Sequence, residues 1–201
     1  PGLPERTYVS RLTPSAHDPE RVYATFDGHR NGDYAPYVYV TEDLGRRWRR
    51  IDDGLPQGWS VNVITEHHRA QDLLFVGNEV GVYVSLDRGE SWTRLKANLP
   101  TVPVDDIAIH PRENDLILGT HGRSAWIMDD ISPLEHRASR PGVVAQAGQV
   151  FPMKKTVMWA QKGDWPFYGA TYSAPNPPRA VRVRYWLRDG VEVVADRTDA
   201  V

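Results

Sequence analysis

The chain has 201 residues, of which 40% are hydrophobic and 25% are charged, proportions typical of a globular protein of one or two domains. Its 24 Lys and Arg residues nearly balance 26 Asp and Glu residues, and the formal net charge of −2 excludes an electrostatic basis for binding nucleic acid or an anionic membrane. The absence of cysteine excludes disulfides and thiolate metal sites, and the apolar runs are too short for a transmembrane helix.

Short runs of β-branched and aromatic residues, separated by Gly, Pro, Asn and Asp, predict strands through the first two thirds of the chain. The predicted strands fall into three successive groups. The first group comprises residues 8–12, 22–26, 37–40 and 47–51. The second comprises 61–65, 73–77, 81–85 and 92–95. The third comprises 106–109, 115–119 and 124–128, without a clear fourth strand.

A histidine follows the first predicted strand of each group, at His17, at the pair His67-His68 and at His110. Equivalent turns of successive repeats lie far apart in space, so turn chemistry explains these residues better than metal binding. We therefore predict no metal site and no cofactor.

The character of the sequence changes after the third group. The run Ser132-Pro133-Leu134-Glu135 matches a capping box and predicts a short helix over residues 133–138. Residues 143–162 read as a linker. Apolar and polar residues alternate over 181–188, and Asp189-Gly190 predicts a hairpin turn into a strand at 191–194.

One octapeptide pattern occurs twice, 44 residues apart: Ser or Thr, any residue, Asp, any residue, Gly, any two residues, Trp. Its fixed positions are Thr41, Asp43, Gly45 and Trp48 in the first copy and Ser85, Asp87, Gly89 and Trp92 in the second. A degraded third copy over 127–134 keeps Asp129 but has Ile131 for the Gly and Leu134 for the Trp. A period of about 40–45 residues is typical of four-stranded propeller blades.

The pattern, an Asp box, predicts a hairpin turn between the third and fourth strands of each blade. The hydroxyl and the carboxylate accept hydrogen bonds from turn N–H groups, Gly supplies an unusual backbone conformation, and Trp packs back onto the blade. An active site needs its acid once, whereas this Asp recurs in every repeat. We therefore expect the box to be structural rather than catalytic.

The sequence thus predicts an all-β fold: a partial β-propeller of about three four-stranded Asp-box blades, a linker, and the start of an immunoglobulin-like (Ig-like) β-sandwich. The segments are the blades in 1–132, a short helix and linker in 133–172, and a truncated Ig-like domain in 173–201. Propellers usually close with about four to eight blades, so we expect further blades of the same polypeptide as partners.

The two boxes, together with residues 35–41, 119–124 and 174–178, resemble a bacterial family of exported, sortilin-like Asp-box (BNR-repeat) propellers that carry a glycosyl-hydrolase label through repeat similarity. The resemblance implies a periplasmic or secreted location and an Ig-like domain of the flagellar hook-cap type after the propeller.

The candidate binding face is opposite the boxes, where strand two meets strand three and where one blade leads into the next. Its loops are 27–36, 57–60, 78–80, 101–105 and 120–123. The side chains with usable groups are His29, Arg30, Asp33, Tyr34, Trp59, Asn78, Glu79, His121 and Arg123. A carboxylate ligand or the Asp129-Asp130 region are the two partners that the sequence offers Arg123.

Glycosidases need two carboxylates facing each other across a cleft, and only Asp33, Glu79 and Asp105 could contribute them here. No pattern pairs these residues, so the sequence names no catalytic residue. We expect a non-catalytic module that binds a protein or glycan partner, or that is a structural subunit of an assembly. The alternatives are a sialidase- or xyloglucanase-like hydrolase with catalytic carboxylates partly outside this chain, and a sortilin-like peptide receptor.

Overall fold

The computed structural model describes residues 2–156 and 180–189. It contains three successive antiparallel sheets, each with its strands in chain order. The first blade consists of β1 (Tyr8–Pro14), β2 (Val22–Gly28), β3 (Asp33–Thr41) and β4 (Arg49–Arg50). The second consists of β5 (Val61–His67), β6 (Ala70–Asn78), β7 (Gly81–Ser85) and β8 (Thr93–Arg94). The third has β9 (Val104–Ile109), β10 (Leu116–Thr120) and β11 (Ala125–Met128).

The first two blades pack face to face on an apolar layer that strand alternation creates. Successive side chains of a strand point to opposite faces, so Val38 and Val40 of β3 share the face that meets the second blade. They join Leu74 and Val76 of β6 in one buried cluster. Each fully buried aliphatic side chain contributes about 1.5–3 kcal/mol, so this layer is a principal source of stability.

A second apolar layer joins the second and third blades. Phe75 and Val82 of the second blade pack with Leu116 and Leu118 of β10. Ala138, on the helix that follows the third blade, is buried in the same cluster. The helix therefore shares the core of the propeller.

The first strands of the blades run side by side and are joined by side-chain hydrogen bonds. Thr13 of β1 donates its hydroxyl to the carbonyl of Ile64 in β5 at 2.8 Å. Thr65 of β5 donates in the same way to Ile107 of β9 at 3.1 Å. Each first strand is therefore bonded to the first strand of the next blade, as expected for propeller blades packed around a common axis. The fold class predicted from the sequence is confirmed for the propeller.

The third blade ends in a helix where the first two blades make a fourth strand. Helix α1 (Ser132–Ser139) covers the predicted helical residues 133–138. Its start is not the predicted capping box, because Glu135 bonds to Arg69 and Asn114, and the N–H of Ser132 donates to Asp130 instead. The packing of Glu135 against the second blade therefore replaces a local cap.

Two short strands follow a 3₁₀ turn at Pro141–Ala145. Strand β12 (Gly148–Val150) pairs antiparallel with β13 (Tyr185–Leu187). The predicted linker thus contributes a strand to the segment predicted as Ig-like, across the expected boundary at 172/173. The predicted hairpin at Gly190 and the strand at 191–194 lie outside the described residues. None of the helices in the described ranges has the length and apolar character that a membrane crossing requires.

Candidate functional site

The first Asp box forms a hairpin turn between β3 and β4, held by the side chains of Thr41 and Asp43. The Thr41 hydroxyl donates to Asp43 Oδ1 at 2.9 Å and accepts the N–H of Gly45 at 2.9 Å. Asp43 Oδ1 also accepts the N–H of Arg47 at 2.8 Å. Turn N–H groups that no strand can satisfy are thus paired by the box itself.

The second box repeats this network between β7 and β8. Ser85 donates to Asp87 at 2.7 Å and accepts the N–H of Gly89 at 2.8 Å, while Asp87 accepts the N–H of Ser91 at 2.9 Å. Gly89 has φ 88°, a left-handed conformation that side chains disfavour, and a Cβ there would lie 2.9 Å from Ile51 Cδ1. Glycine is therefore required both by conformation and by the contact between blades.

The box carboxylates are held ionised. Hydrogen bonds from the Arg47 side chain and backbone lower the pKa of Asp43 to about 2. For Asp87 burial opposes the shift, but hydrogen bonds from Ser91 and Ser85 lower its pKa below the ordinary range. A general acid must hold its proton near neutral pH, so both aspartates have the electrostatics of turn acceptors.

The two box tryptophans differ in their surroundings. Trp92 is 6% exposed and donates its indole N–H to the carbonyl of Ile51, in the preceding blade, at 2.6 Å. Trp48 is only partly buried, donates to Gly45 within its own turn at 3.1 Å, and borders an open apolar pocket. Trp92 thus packs between two blades, whereas Trp48 has no preceding blade to pack against among the described residues.

The third box is displaced by one residue from the predicted alignment. Met128 pairs with Leu116 as Ser85 pairs with Leu74, so the residue two positions on is Asp130. Asp130 accepts from Ser132, whereas Asp129 is exposed and lies 3.6 Å from Arg182. The sequence pattern favours Asp129, but two aspartates are adjacent there, and only the strand register distinguishes them.

The loop face lies at the opposite end of the strands from the boxes and comprises the loops at 29–32, 57–60, 79–80, 101–103 and 121–124. In the first blade, the ring of His29 contacts the carboxylate of Asp27. Burial would raise the pKa of Asp27, but hydrogen bonds from the backbone and the ring of His29 lower it. Asp27 was not among the predicted site residues.

The loop at 29–32 is anchored to residues near the start of the chain. The guanidinium of Arg30 lies over the ring of Tyr8, 4.9 Å from its centroid, and Asn31 donates to the carbonyl of Arg6 at 2.9 Å. Tyr34 is 50% exposed. Its ring is therefore available to a partner at the rim of the first blade.

The carboxylate of Asp33, one of the predicted candidate acids, is hydrogen-bonded within its own strand β3. It accepts the Tyr37 hydroxyl at 2.7 Å and the N–H of Ala35 at 3.0 Å. Burial, and then the bond to Asp33, raises the pKa of Tyr37 to about 12, so Tyr37 stays a donor. Asp33 thus orders the end of the loop.

Three predicted residues of the central blade have different degrees of exposure. Asn78 is fully buried, and its side-chain oxygen accepts the N–H of Val80 at 3.0 Å. Trp59 is 44% exposed. Glu79 is partly buried, and its carboxylate has no hydrogen-bond partner among the described residues. Asn78 therefore shapes the turn, whereas Trp59 and Glu79 are the groups that a ligand could meet.

The second and third blades meet at Asp105. His121 Nδ1 lies 3.3 Å from Asp105 Oδ2, and the side-chain amide of Asn62 lies 3.5 Å from Asp105 Oδ1. Beside them, Arg11 of the first blade donates to Asp106 at 2.5 Å. Polar groups of the second and third blades therefore meet at Asp105, and the adjacent Asp106 pairs with the first blade.

Arg123 does not contact the Asp129-Asp130 region, the partner within the protein that the sequence offers it. Asp129 and Asp130 contact Arg182 and Arg184 instead. The side chain of Arg123 is exposed and has no partner within residues 2–156 and 180–189. It lies two residues after His121 on the loop face, as a cation that a carboxylate ligand could reach.

An arginine that recurs in the first two blades, outside the predicted site residues, donates a hydrogen bond to the backbone next to this face. Arg50 donates to the carbonyl of Pro36 at 3.0 Å, and Arg94 donates to that of Val80 at 2.7 Å. Both lie two residues after the box Trp, and their acceptors are also 44 residues apart. The recurrence of Arg at the repeat period was the available signal.

The fold and site together define an all-β protein of the propeller class. Residues 36–133 match the family model described as Sortilin-Vps10, "Sortilin, neurotensin receptor 3". Two relatives, vacuolar protein sorting/targeting protein 10 of Paracoccidioides brasiliensis strains Pb03 and Pb18, are each 30% identical over 88 residues. That alignment covers 41% of this chain and 6% of each relative.

The fold also resembles that of a solved enzyme structure. The GH74 xyloglucanase from Xanthomonas campestris superposes with a TM-score of 0.52 and 16% identity, over 65% of this chain and 22% of the enzyme. At this identity the likeness shows a shared propeller fold. Because the chain spans so little of these proteins, their activities are not transferred to it.

Proposed function

We propose that the chain is a non-catalytic β-propeller module of an extracytoplasmic protein, and that it binds a protein or glycan partner through its loop face. The observation that carries the proposal is the meeting of His121 and Asn62 at Asp105, on the face whose loops also hold the exposed and unpartnered Arg123. Exposed polar side chains on loops that rigid blades position are the usual basis of recognition.

The state of the carboxylates favours binding over hydrolysis. Asp33 accepts two hydrogen bonds from its own strand, and Asp105 is engaged by Asn62 and His121. A glycosidase acid needs a raised pKa, whereas the pKa of Asp27 on this face is lowered. Groups so engaged suit the recognition of donors better than proton transfer.

The match to the Sortilin-Vps10 model supports protein binding and an extracytoplasmic site of action. A free Arg123 and exposed aromatic rings at Trp59 and Tyr34 would suit an acidic or aromatic peptide segment as well as a sugar ring. We extend the proposal to an Ig-like domain in 173–201 and to further blades of the same polypeptide.

A matched pair of arginines tests the proposal. Arg123 lies on the loop face and Arg46 in a box turn at the opposite end, and neither side chain has a partner among the described residues. Partners captured by the full-length protein, and binding to a glycan array, should fall at least about tenfold with Arg123→Ala and stay unchanged with Arg46→Ala. If binding falls equally in both variants, or falls in neither, binding through the loop face is contradicted.

Glycoside hydrolysis is the second candidate, and the unpartnered carboxylate of Glu79 on the loop face is the observation in its favour. Its partner acid would lie outside this chain or at Asp105. Full-length protein should then release reducing ends from a β-glucan or sialoside panel, and Glu79→Gln should lower that rate at least about 100-fold. Absence of turnover on the whole panel would leave the binding function alone.

A further inference from the structure

The aspartates of the first two boxes divide their two carboxylate oxygens in the same way. In the first box, Asp43 Oδ1 pairs within the turn, whereas Oδ2 accepts the Nε–H of Arg47, four residues on, at 2.8 Å. In the second box, Asp87 Oδ2 accepts the hydroxyl of Ser91, again four residues on. One oxygen of a box aspartate therefore serves the turn, and the other serves one further donor.

The third box lacks that local donor. Asp130 Oδ1 accepts the hydroxyl and the N–H of Ser132, but the residue four positions on is Leu134, whose side chain has no donor. Asp130 Oδ2 accepts instead from the guanidinium of Arg184, 54 residues away in the sequence. The same guanidinium donates to the carbonyls of Asp130 at 2.9 Å and of Asp129 at 3.2 Å. A single arginine from beyond the propeller thus completes the third box.

Other cations from beyond the helix meet carboxylates at the same end of the third blade. Lys154 Nζ lies 2.6 Å from a carboxylate oxygen of Glu113 and donates to its carbonyl at 2.8 Å. Hydrogen bonds from Lys154 and Arg112 lower the pKa of Glu113 below its ordinary range. Arg182 lies 3.6 Å from Asp129. The box end of this blade and the residues that cover it are therefore complementary in charge.

The exposure of these pairs shows which of them can anchor the segment. The side chains of Arg184 and Asp130 are 31% and 13% exposed, whereas those of Arg182 and Asp129 are 52% and 66% exposed. Exposed ion pairs contribute little, because water and salt screen them. A planar guanidinium that donates to several acceptors is held by geometry as well as by charge. Arg184 is therefore the anchor of the segment, and Arg182 contributes less.

The anchor lies next to a pair of strands that needs support. Among the described residues, β12 and β13 form a sheet of two strands, and such a sheet is marginally stable by itself in water. Arg184 immediately precedes β13, and its carbonyl accepts the N–H of Phe151 at 2.9 Å. The ring of Phe151 in turn packs edge-on against His136 of α1. Fixing Arg184 therefore also fixes the strand pair against the third blade.

We propose that the third Asp box is a docking socket for the strand pair β12–β13, and that Arg184 is the side chain it binds. One oxygen of Asp130 closes the turn, and the other holds the guanidinium. The socket sets where the segment after the propeller begins, at the end of the blades opposite the loop face. It therefore leaves the loop face open and does not depend on the proposed function.

Amide hydrogen exchange of the full chain tests the socket with two substitutions that keep the positive charge. Arg184→Lys loses the planar group that reaches Asp130 and the carbonyl of Asp129 together, so the Phe151 amide should exchange at least about tenfold faster. The control Arg182→Lys changes an exposed pair of the same segment and should leave this rate unchanged. The Val84 amide in β7 should keep its rate in both variants.

A double-mutant cycle then tests whether Arg184 acts through Asp130. Because the two side chains share one contact, Asp130→Asn combined with Arg184→Lys should exchange Phe151 less than about threefold faster than the faster single variant. Accelerations that multiply would overturn the socket, since Arg184 would then act elsewhere.

Three results with the single variants would also overturn the proposal. An unchanged Phe151 rate in Arg184→Lys would mean that the strand pair does not need the box. Equal acceleration in Arg184→Lys and Arg182→Lys would mean that charge alone holds the segment. Equal acceleration of Phe151 and Val84 in Arg184→Lys would mean that Arg184 supports the whole propeller rather than a local socket.

Discussion

At the scale of single residues, the hydroxyl of each Asp box makes two of the hydrogen bonds that hold its turn. Ser85 is fully buried, donates to Asp87, and accepts the N–H of Gly89. Thr41 has the same partners in the first blade. Serine and threonine are therefore interchangeable here, whereas a residue without a hydroxyl leaves a buried donor unpaired.

We predict that Ser85→Ala lowers the free energy of unfolding by about 1–3 kcal/mol, because the Gly89 N–H loses its acceptor. Ser85→Thr should change it by less than about 0.5 kcal/mol, because the first blade already uses threonine. Urea denaturation followed by tryptophan fluorescence measures both variants. Equal stability of the two variants would show that the hydroxyl does not hold the turn.

The box tryptophans provide a second prediction at this scale. Trp92→Ala should cost about 3–5 kcal/mol, because it empties a buried site between two blades and removes the bond to Ile51. Trp48→Ala removes the same chemical group from a partly buried position and should cost less than half as much. An equal loss of unfolding free energy in Trp48→Ala and Trp92→Ala would contradict the role of Trp92 in packing between two blades.

At the scale of elements, helix α1 is attached to the second blade through a buried histidine. His67 donates from Nε2 to Asn114 at 2.8 Å and accepts the N–H of Arg69 at Nδ1. Asn114 in turn donates to Glu135 of α1, which also pairs with Arg69. The network therefore requires the neutral imidazole, since a second proton would displace the Arg69 N–H.

Burial lowers the pKa of His67 below its usual value of 6.5, although Asn114 and Glu135 oppose the shift. The unfolded chain therefore binds this proton more readily, so the stabilisation is present above about pH 6.5 and is lost as the pH falls below it. His67→Gln should remove this part of the pH dependence of unfolding between pH 7 and 5. Identical pH profiles for both proteins would disprove the role of His67.

The elements show how far the sequence could lead. Period and alternation predicted the strand order and the turns at both boxes, because strands in a two-sided core must alternate. The fourth strands were overestimated, since β4 and β8 have two residues each. The position of Asp130 and the pairing of β12 with β13 depend on contacts between residues distant in the chain, which a local pattern does not encode.

The candidate site was less predictable than the fold. His121 and Arg123 were identified from the loop in which they lie, but the contact of His121 with Asp105 joins that loop to strand β9. Asp27 lies in the predicted loop 27–36 but was not named as a site residue, because its contact with His29 depends on the turn at 29–31. The partners of a loop residue are set by tertiary structure rather than by sequence spacing.

At the scale of the whole molecule, the account requires that the blades curve around one axis. Arg11 in β1 and Asp106 in β9 are 95 positions apart in the sequence and belong to the first and third blades, yet their side chains form an ion pair at 2.5 Å. Three sheets stacked in a straight line would separate these residues by the thickness of a blade, about 10 Å for each pair of packed sheets.

Chemical cross-linking tests this curvature most directly, because the chain has no cysteine of its own. The double variant Arg11→Cys and Asp106→Cys should be joined in high yield by a short bismaleimide. The control variant Arg46→Cys and Asp106→Cys, with one cysteine in a box turn at the opposite end, should give at most about a tenth of that yield. A low yield for the first pair, or equal yields for both, would contradict the propeller arrangement.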